Sequence, residues 1–403
     1  MANKRYVYWG TIGLGLAIGL GLASIEPVKG EKRLTAPLFQ VDPFWPKPLP
    51  DNWVTGEVGG TCIDSQDHVF IVTRGFQTGG LVSPEGVAGQ PVKSKASPPV
   101  IEFDADGNVV NAWGDASIVA SGPNAGKNAV LPNGIHGCFV DFEDNVWIGG
   151  NGDGVVQKYS HDGHLLLQIG TKFVCDTPTS ACTNVMATGS SHSLLNLPAD
   201  IAVDPSNGDV YIADGYGNHR VVVFNRNGTF LRQMGGVGTG PGQFTAGDGG
   251  HPHCVVLGRN GLVYACDRGN DRINVFQKDG TFVRAIPVIP GTAALGVAGS
   301  AWDVDFSPDR KQTFMYESDG GNEVMWIFNH AAALAGLPNA ILSGFGRPGH
   351  MAGEFTFLHM MAIDSKGNLY VGETIGGRRV QKFTLKNCDG DDRRGHGSGN
   401  CDD

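Results

Sequence analysis

The stretch from Leu197 to Ile286 holds two successive copies of one pattern, and this repetition constrains the fold of the 403-residue chain more than any other feature. Each copy contains three short apolar runs and a weaker fourth, separated by turn sequences such as PSNG and NRNG, which are typical of consecutive β-hairpins. A unit of about 40 residues with four strands cannot bury both of its faces alone, so several units must pack together. The usual arrangement at this period is a closed β-propeller.

Six copies of the first hairpin can be aligned along the chain, which predicts an all-β, six-bladed propeller over residues 38–386. The aligned segments are TCIDSQDHVFIVTRG, HGCFVDFEDNVWIGG, ADIAVDPSNGDVYIADG, HCVVLGRNGLVYACDRG, WDVDFSPDRKQTFMYESDG and HMMAIDSKGNLYVGETIGG. The last copy lacks an outer strand, and the N-terminal segment LFQVDPFWP can supply it and close the ring. The 61 glycines, the 22 prolines and the absence of long helical periodicity also favour a turn-rich β protein.

The first 24 residues carry Lys4 and Arg5, followed by the Gly-rich apolar run WGTIGLGLAIGLGLAS. This pattern is typical of a secretory signal peptide, although Tyr6 to Ile25 could also remain as an uncleaved membrane anchor. Either outcome predicts an exported protein, periplasmic or extracellular. The polar residues 387–403 are expected to be a disordered tail.

The net charge of −10 argues against a nucleic acid or an anionic membrane as partner. Contact with a membrane is therefore expected only through an uncleaved N-terminus, and we expect the propeller to be a monomer.

Eight cysteines in an exported chain could form disulfides, although the sequence alone does not fix their connectivity. Three pairs are close in sequence: Cys175 with Cys182, Cys254 with Cys266, and Cys388 with Cys401. Cys62 and Cys138 are expected to be buried free thiols.

Histidine recurs at one position of the repeat. Counted five residues back from the point where each first strand meets its turn, the equivalent residues are Gly59, His136, Ala199, His253, Trp302 and His359. Histidine thus occupies alternate copies, and alternate blades of a closed six-bladed ring are related by about 120°. Three imidazoles that converge on the axis form the arrangement of a catalytic zinc site. The alternative is that each is a hydrogen-bonded histidine lining the channel.

Three further residues are expected on the face that carries these histidines, because the second strand of a hairpin ends beside the start of the first. Arg74 and Arg268 hold the same position in copies one and four, and Tyr216 follows that position in copy three. Two guanidinium groups on one rim suit a carboxylate, and a phenol near a metal ion and two cations can act as a general base. The alternatives are arginines paired with neighbouring aspartates and a tyrosine packed in a loop.

The segments around these residues resemble the NHL-repeat propellers, and among them the peptidyl-α-hydroxyglycine α-amidating lyases. The resemblance rests on DGYGNHRVVVF, on PGQF followed by PHCVV, and on CDRGNDRINVF, and it extends from about Val41 to Lys386. It implies a catalytic zinc ion, a catalytic tyrosine and two active-site arginines. The matching positions are His136, His253 and His359 for Zn²⁺, Tyr216 for the tyrosine, and Arg74 and Arg268 for the arginines.

The sequence departs from this family at three points. Met360 stands where the lyases carry an Asp that helps to hold a structural Ca²⁺ ion, so a Ca²⁺ ion would lack that ligand here. Gly217 stands where the family has a disulfide cysteine beside the catalytic tyrosine. The 403 residues also contain no copper monooxygenase segment, so the hydroxyglycine is expected to come from another enzyme.

The resemblance implies a zinc-dependent lyase that cleaves the C–N bond of a peptidyl- or acyl-α-hydroxyglycine to an amide and glyoxylate. Its partner would be a small-molecule or peptide substrate with a C-terminal α-hydroxyglycine. Two alternatives remain open: a zinc-dependent hydrolase or lactonase of another small carboxylated compound, and a non-catalytic exported NHL propeller that binds a protein or a glycan.

Overall fold

A computed structural model of the chain describes residues 34–77, 80–81, 94–114, 131–183, 189–246 and 249–386. Every strand given below lies within the unit Ala36–Asp403. The predicted signal or anchor at residues 1–24 and the predicted tail at residues 387–403, with its two cysteines, lie outside the described residues. Within the described part, no helix has the length and hydropathy needed to cross a bilayer.

Six four-stranded antiparallel sheets form the blades of the propeller in the described residues, which confirms the predicted fold class. Blade 1 contains, from the inner strand outwards, Val58–Ile63, Val69–Thr73, Val100–Phe103 and Val109–Trp113. Blade 2 contains Ile135–Val140, Val146–Gly150, Val155–Tyr159 and Leu165–Ile169. Blade 3 contains Asp200–Val203, Val210–Asp214, Arg220–Phe224 and Phe230–Gly235.

The remaining blades follow the same order. Blade 4 contains Val255–Leu257, Leu262–Asp267, Arg272–Gln277 and Phe282–Pro287. Blade 5 contains Asp303–Phe306, Phe314–Asp319, Val324–Asn329 and Ile341–Phe345, and blade 6 contains Leu358–Ile363, Leu369–Glu373, Arg379–Lys386 and Leu38–Asp42. Outside the blades, Trp53–Val54 pairs in parallel with Lys95–Ala96. One short α-helix, His330–Ala335, is found among the described residues, with 3-10 turns at Pro50–Asn52, Arg268–Asn270 and Ala293–Leu295.

The ring is closed by the N-terminal strand, as the sequence predicts. Leu38–Asp42 pairs antiparallel with Arg379–Lys386 and forms the outer strand of blade 6. The ring of Phe39 contacts the rings of Tyr316 and Phe345 in blade 5, at centroid distances of 5.5 and 5.3 Å. Closure in this way covers the sheet edge that an open blade would expose.

In blades 1, 2 and 6, the aspartate that directly follows the inner strand shapes the turn of the first hairpin. Oδ1 of Asp64, Asp141 and Asp364 accepts hydrogen bonds from the backbone N–H groups two and four residues further on. An aspartate that bonds to its own turn in this way favours the tight reversal between strands. The repeat therefore places a carboxylate at the same end of each of these blades.

The hydrophobic core consists of layers between neighbouring blades. Between blades 3 and 4, for example, Val221 and Val223 pack in one cluster with Phe244, Val255 and Phe276, all fully or almost fully buried. Burial of such side chains is the main favourable contribution to folding. It also holds the inner strands, which carry the candidate site, at fixed distances from one another.

Three disulfides are present among the described cysteines. Cys175–Cys182 and Cys254–Cys266 confirm the local pairs predicted from the sequence. The prediction that Cys62 and Cys138 are free thiols was wrong, because they form a disulfide between the inner strands of blades 1 and 2 with a Cα–Cα distance of 5.4 Å. The two cysteines are 76 residues apart in the sequence, and the packing of blade 1 against blade 2 brings them close enough to pair. Three disulfides indicate an exported protein that folds in an oxidising compartment.

The disulfide between blades 1 and 2 should contribute more stability than the local one at Cys175. It closes a loop across 76 residues, against 7 for Cys175–Cys182. Because the entropy removed from the unfolded chain grows with loop length, we expect replacement of Cys62 and Cys138 by Ala to lower the free energy of unfolding by about 4 kcal/mol, and replacement of Cys175 and Cys182 by about 2 kcal/mol. Urea unfolding of both variants under oxidising conditions checks this, and equal losses would contradict it.

Candidate active site

Three histidine side chains from alternate blades meet near the axis of the propeller. His136 lies in the inner strand of blade 2, His359 lies in the inner strand of blade 6, and His253 lies two residues before the inner strand of blade 4. Their ring centroids are 4.7 to 5.0 Å apart, and one nitrogen of each lies within 4.8 Å of the others. All three are buried, with exposed fractions of 3% or less. The structure therefore brings together the three residues that the repeat pattern selected.

Hydrogen bonds to the next blade orient two of the rings. Nδ1 of His136 donates to the carbonyl oxygen of Ala199, and Nδ1 of His253 donates to that of Trp302, each at 2.7 Å. These bonds leave a lone pair on Nε2 of both rings, as in metal-binding histidines. Nε2 of His253 and Nδ1 of His359 are buried and have no hydrogen-bond partner among the described residues. Because buried polar atoms are normally paired, this donor set fits a transition-metal ion such as Zn²⁺.

The electrostatic environment keeps the three imidazoles neutral. Burial lowers the pKa of each ring well below the usual 6.5. The charges of Arg74 and Arg268 lower the pKa of His136 and His359 further, and the charge of Arg268 does so for His253. Neutral imidazole is the form that binds a metal ion, so the site is ready for one at neutral pH.

Tyr216 and Arg268 lie beside this cluster. The Tyr216 hydroxyl is 3.1 Å from Nε2 of His136 and accepts a hydrogen bond of 3.4 Å from Nη2 of Arg268. The guanidinium group of Arg268 also stacks on the ring of Trp302, 4.3 Å from its centroid. Gly250, at a φ of +70°, allows the neighbouring loop to approach, because a Cβ there would lie 2.9 Å from the Tyr216 ring. A phenol and a buried cation thus share the site with the histidines.

Arg74 lies close to the cluster but is held by other groups. Its Nε donates to the carbonyl oxygen of Ile135 at 2.7 Å, and its Nη1 donates to Oε2 of Glu57 at 2.8 Å. The first of these bonds fixes Arg74 against the residue that precedes His136. The sequence did not predict the contact with Glu57, because it indicated only neighbouring aspartates as partners of the arginines.

Two more residues of the site escaped the sequence analysis. Trp302, the blade 5 equivalent of the histidines, accepts from His253 through its carbonyl and stacks under Arg268 through its ring. The Ser318 hydroxyl donates to the carbonyl oxygen of His359 at 2.6 Å. Trp302 could have been found, because it occupies the repeat position that was used to select the histidines.

The position of the family's calcium ligand is apolar in this chain. Met360 is buried, with an exposed fraction of 2%. Within the described residues, two groups of three or more His, Cys, Asp or Glu side chains have metal-binding spacing: the three histidines, and Asp64 with His68 and Glu102. Of the residues in these two groups, only His359 is adjacent to Met360 in the sequence. Neither group therefore supplies a carboxylate beside this position.

Comparison with known proteins relates the chain to NHL-repeat propellers. Residues 195–224 match the family model of the NHL repeat. The chain carries an NHL repeat. NHL repeat-containing protein 3 of Mus musculus is 27% identical over 362 residues, which cover 87% of this chain and 85% of that protein.

Distant relatives also include amidating lyases, as the sequence motifs indicated. Peptidyl-alpha-hydroxyglycine alpha-amidating lyase 1 of Drosophila melanogaster is 27% identical over 276 residues, which cover 62% of this chain and 44% of that protein. Among solved structures, that of streptogramin B lyase has a TM-score of 0.48 and 14% identity, over 86% of this chain and 98% of that chain.

The buried histidines predict a pH dependence of stability in the metal-free protein. Their pKa values are lower in the folded chain than the unfolded value of 6.5, so the unfolded chain binds more protons as the pH falls. From about pH 7.5 to about pH 5.5 the free energy of unfolding should therefore fall, by up to about 1.4 kcal/mol per group for each unit below the unfolded pKa. Urea unfolding measures it. A variant with Gln at His136, His253 and His359 should lose this part of the dependence; an unchanged dependence would contradict the assignment.

Proposed function

We propose that this propeller is a zinc-dependent lyase that cleaves the C–N bond of a peptidyl- or acyl-α-hydroxyglycine to an amide and glyoxylate. The observation that carries the proposal is the convergence of three buried, neutral histidines from alternate blades, with Tyr216 and Arg268 beside them. The distant similarity to a peptidyl-α-hydroxyglycine α-amidating lyase supports the choice of reaction.

The three histidines would hold the zinc ion through ring nitrogens that bond to no backbone group. Nε2 of His136 lies 3.1 Å from the Tyr216 hydroxyl, whereas Nε2 of His253 and Nδ1 of His359 have no hydrogen-bond partner among the described residues. His136 and His253 each present Nε2, because Nδ1 of both rings donates to a backbone carbonyl. When bound, Zn²⁺ supplies Lewis-acid stabilisation of negative charge on a substrate oxygen. The surrounding burial excludes water, which strengthens electrostatic interactions at the site.

Tyr216 is the general base in this proposal. In this reaction the substrate R–CO–NH–CH(OH)–COO⁻ would lose its hydroxyl proton to the side-chain oxygen of Tyr216. The electron pair left on the substrate's hydroxyl oxygen then forms the C=O bond of glyoxylate while the C–N bond breaks. Tyr216 returns the proton to the departing amide nitrogen, which gives R–CO–NH₂ and restores the side chain. The contact of 3.1 Å between the Tyr216 hydroxyl and Nε2 of His136 supports this role.

Arg268 is the group best placed to bind the substrate carboxylate. Its guanidinium group stacks on Trp302 and bonds to Tyr216, so its charge is held at a fixed position beside the base. Arg74 is already paired with Glu57, and we assign it a positioning role through Ile135 together with a contribution to the positive field. Because Arg268 is already held in position, it would bind a carboxylate with a small loss of entropy.

Replacement of Tyr216 by Phe tests the assignment of the base. Tyr216→Phe should keep stoichiometric zinc and lower kcat for glyoxylate release from α-hydroxyhippurate by about 10²–10⁴-fold, because it removes only the proton acceptor. Tyr211→Phe, in the same blade, serves as the control, since its hydroxyl bonds to Arg232 away from the site. Zinc content and glyoxylate release are measured together.

The outcomes of this experiment separate the alternatives. Full activity of Tyr216→Phe would exclude Tyr216 as the general base. A wild-type protein that holds zinc but releases no glyoxylate would favour a hydrolase of another carboxylated compound. A wild-type protein without zinc would favour a propeller that only binds a partner.

Replacement of Arg268 by Met tests the carboxylate contact. Loss of a charge-assisted hydrogen bond should raise KM for α-hydroxyhippurate by about 10–100-fold. Steady-state kinetics give this value, with Arg347→Met as the control, because Arg347 is an exposed residue paired with Glu354. An unchanged KM in Arg268→Met would assign the carboxylate to another group.

A further inference from the structure

A second cluster of metal-binding side chains lies at the opposite end of blade 1, where its first hairpin turns. Nδ1 of His68 is 2.7 Å from Oε1 of Glu102 and 3.8 Å from Oδ2 of Asp64. One ligand atom of each of these residues lies within 4.8 Å of the others. The Asp64 and Glu102 side chains are 0% and 3% exposed, whereas His68 is 28% exposed. The cluster is thus buried on the side of its carboxylates and open on the side of its imidazole.

The same position in blade 2 shows what this cluster replaces. There the turn aspartate is Asp141, whose Oδ2 accepts hydrogen bonds from Nε1 of Trp147 at 2.9 Å and lies 3.0 Å from Nζ of Lys158. Lys158 pairs with Trp147 across the sheet, just as Glu102 pairs with Phe70 in blade 1. Blade 1 therefore has a glutamate where blade 2 has the lysine that neutralises the turn aspartate.

With glutamate in place of the lysine, one carboxylate oxygen in blade 1 has no hydrogen-bond donor among the described residues. Oδ1 of Asp64 accepts from the N–H groups of Gln66 and His68, each at 2.8 Å, which fixes the direction of the side chain. Oδ2 of Asp64 is buried and has no hydrogen-bond partner among the described residues. A buried carboxylate without a cation or a donor is costly, and a second carboxylate beside it raises the cost.

A divalent cation would balance the negative charge of the two buried carboxylates. We propose that Asp64 Oδ2, His68 Nδ1 and Glu102 Oε1 form a second divalent-metal site, with Zn²⁺ as the ion that this mixed nitrogen and oxygen set binds well. The ion would take the place that the Lys158 ammonium group holds in blade 2. Open positions would be filled by water on the exposed side.

A histidine of the neighbouring blade completes the site from outside. Nε2 of His161 lies 3.0 Å from Oε2 of Glu102, so a bond from this ring holds the carboxylate with its other oxygen towards His68. Metal-ligating carboxylates are usually oriented by such a hydrogen bond. His161 comes from the turn of blade 2, and the ion would therefore also tie blade 1 to blade 2.

The competing explanation uses no metal ion. If His68 and His161 were both protonated, they would supply two positive charges to the two carboxylates. Only the metal-site explanation predicts that the protein binds a second Zn²⁺ ion through Asp64 and Glu102. A measurement of zinc content therefore distinguishes the two explanations.

The test uses a variant that restores the repeat. In Glu102→Lys, a lysine takes the place of the glutamate, as in blade 2, so the chain should fold and the ammonium group should neutralise Asp64. After removal of metals with a chelator and equilibrium dialysis against Zn²⁺, elemental analysis should find one zinc ion fewer per chain in this variant than in the wild type. Glyoxylate release should be unchanged, because the cluster is remote from Tyr216.

A second variant and a control make the result decisive. Glu102→Gln keeps the shape of the side chain and should also lose one zinc ion. In a His359→Ala background, which removes the central site, added Zn²⁺ should raise the Tm, and Glu102→Gln should abolish this rise. Asp162→Asn removes an exposed Asp–His pair in blade 2 and should leave the zinc content unchanged. Equal zinc content in Glu102→Gln, Glu102→Lys and wild type would overturn the proposal, whatever the occupancy of the central site.

Discussion

The pairing of the first strand with the last is the contact on which the candidate active site depends. Leu38–Asp42 completes blade 6 and holds it in a closed ring, so the inner strand of blade 6 is fixed between those of blades 5 and 1. His359 lies on that inner strand, whereas His136 and His253 come from blades 2 and 4. A metal site tolerates little displacement of its ligands, and only a closed ring fixes distances across the axis.

Two blades without a histidine at this position orient the histidine rings of the blades that precede them. The carbonyl oxygens of Ala199 and Trp302 accept from His136 and His253, and both residues occupy the repeat position that is histidine in the even blades. Even blades therefore contribute imidazoles and odd blades contribute acceptors. His359 differs, because Nδ1 of its ring has no such partner among the described residues. The threefold symmetry of the histidines is therefore approximate. No bond from Nδ1 within the described residues fixes which ring nitrogen of His359 would bind the metal ion.

The sequence predicted what depends on position within a blade and missed what depends on the approach of two blades. Periodicity was enough to select the three histidines, Tyr216 and Arg268, because equivalent residues of a repeat lie at equivalent heights along the ring. It was not enough for Cys62 with Cys138 or for Arg74 with Ile135, since those contacts form between separate inner strands. The distance between neighbouring blades is set by side-chain packing, which no local pattern encodes.

The turn aspartates show how one repeat position can be neutralised in different ways. Asp141 pairs with Lys158 of its own blade, and Asp204 pairs with Lys278 of the next blade. Asp364 instead accepts from the side chains of Asn368 and Tyr370. Each solution supplies positive charge or donors to a carboxylate that the hairpin turn requires. Blade 1 keeps the required aspartate but has a second carboxylate in place of the lysine, so a divalent cation is the solution that satisfies both charges.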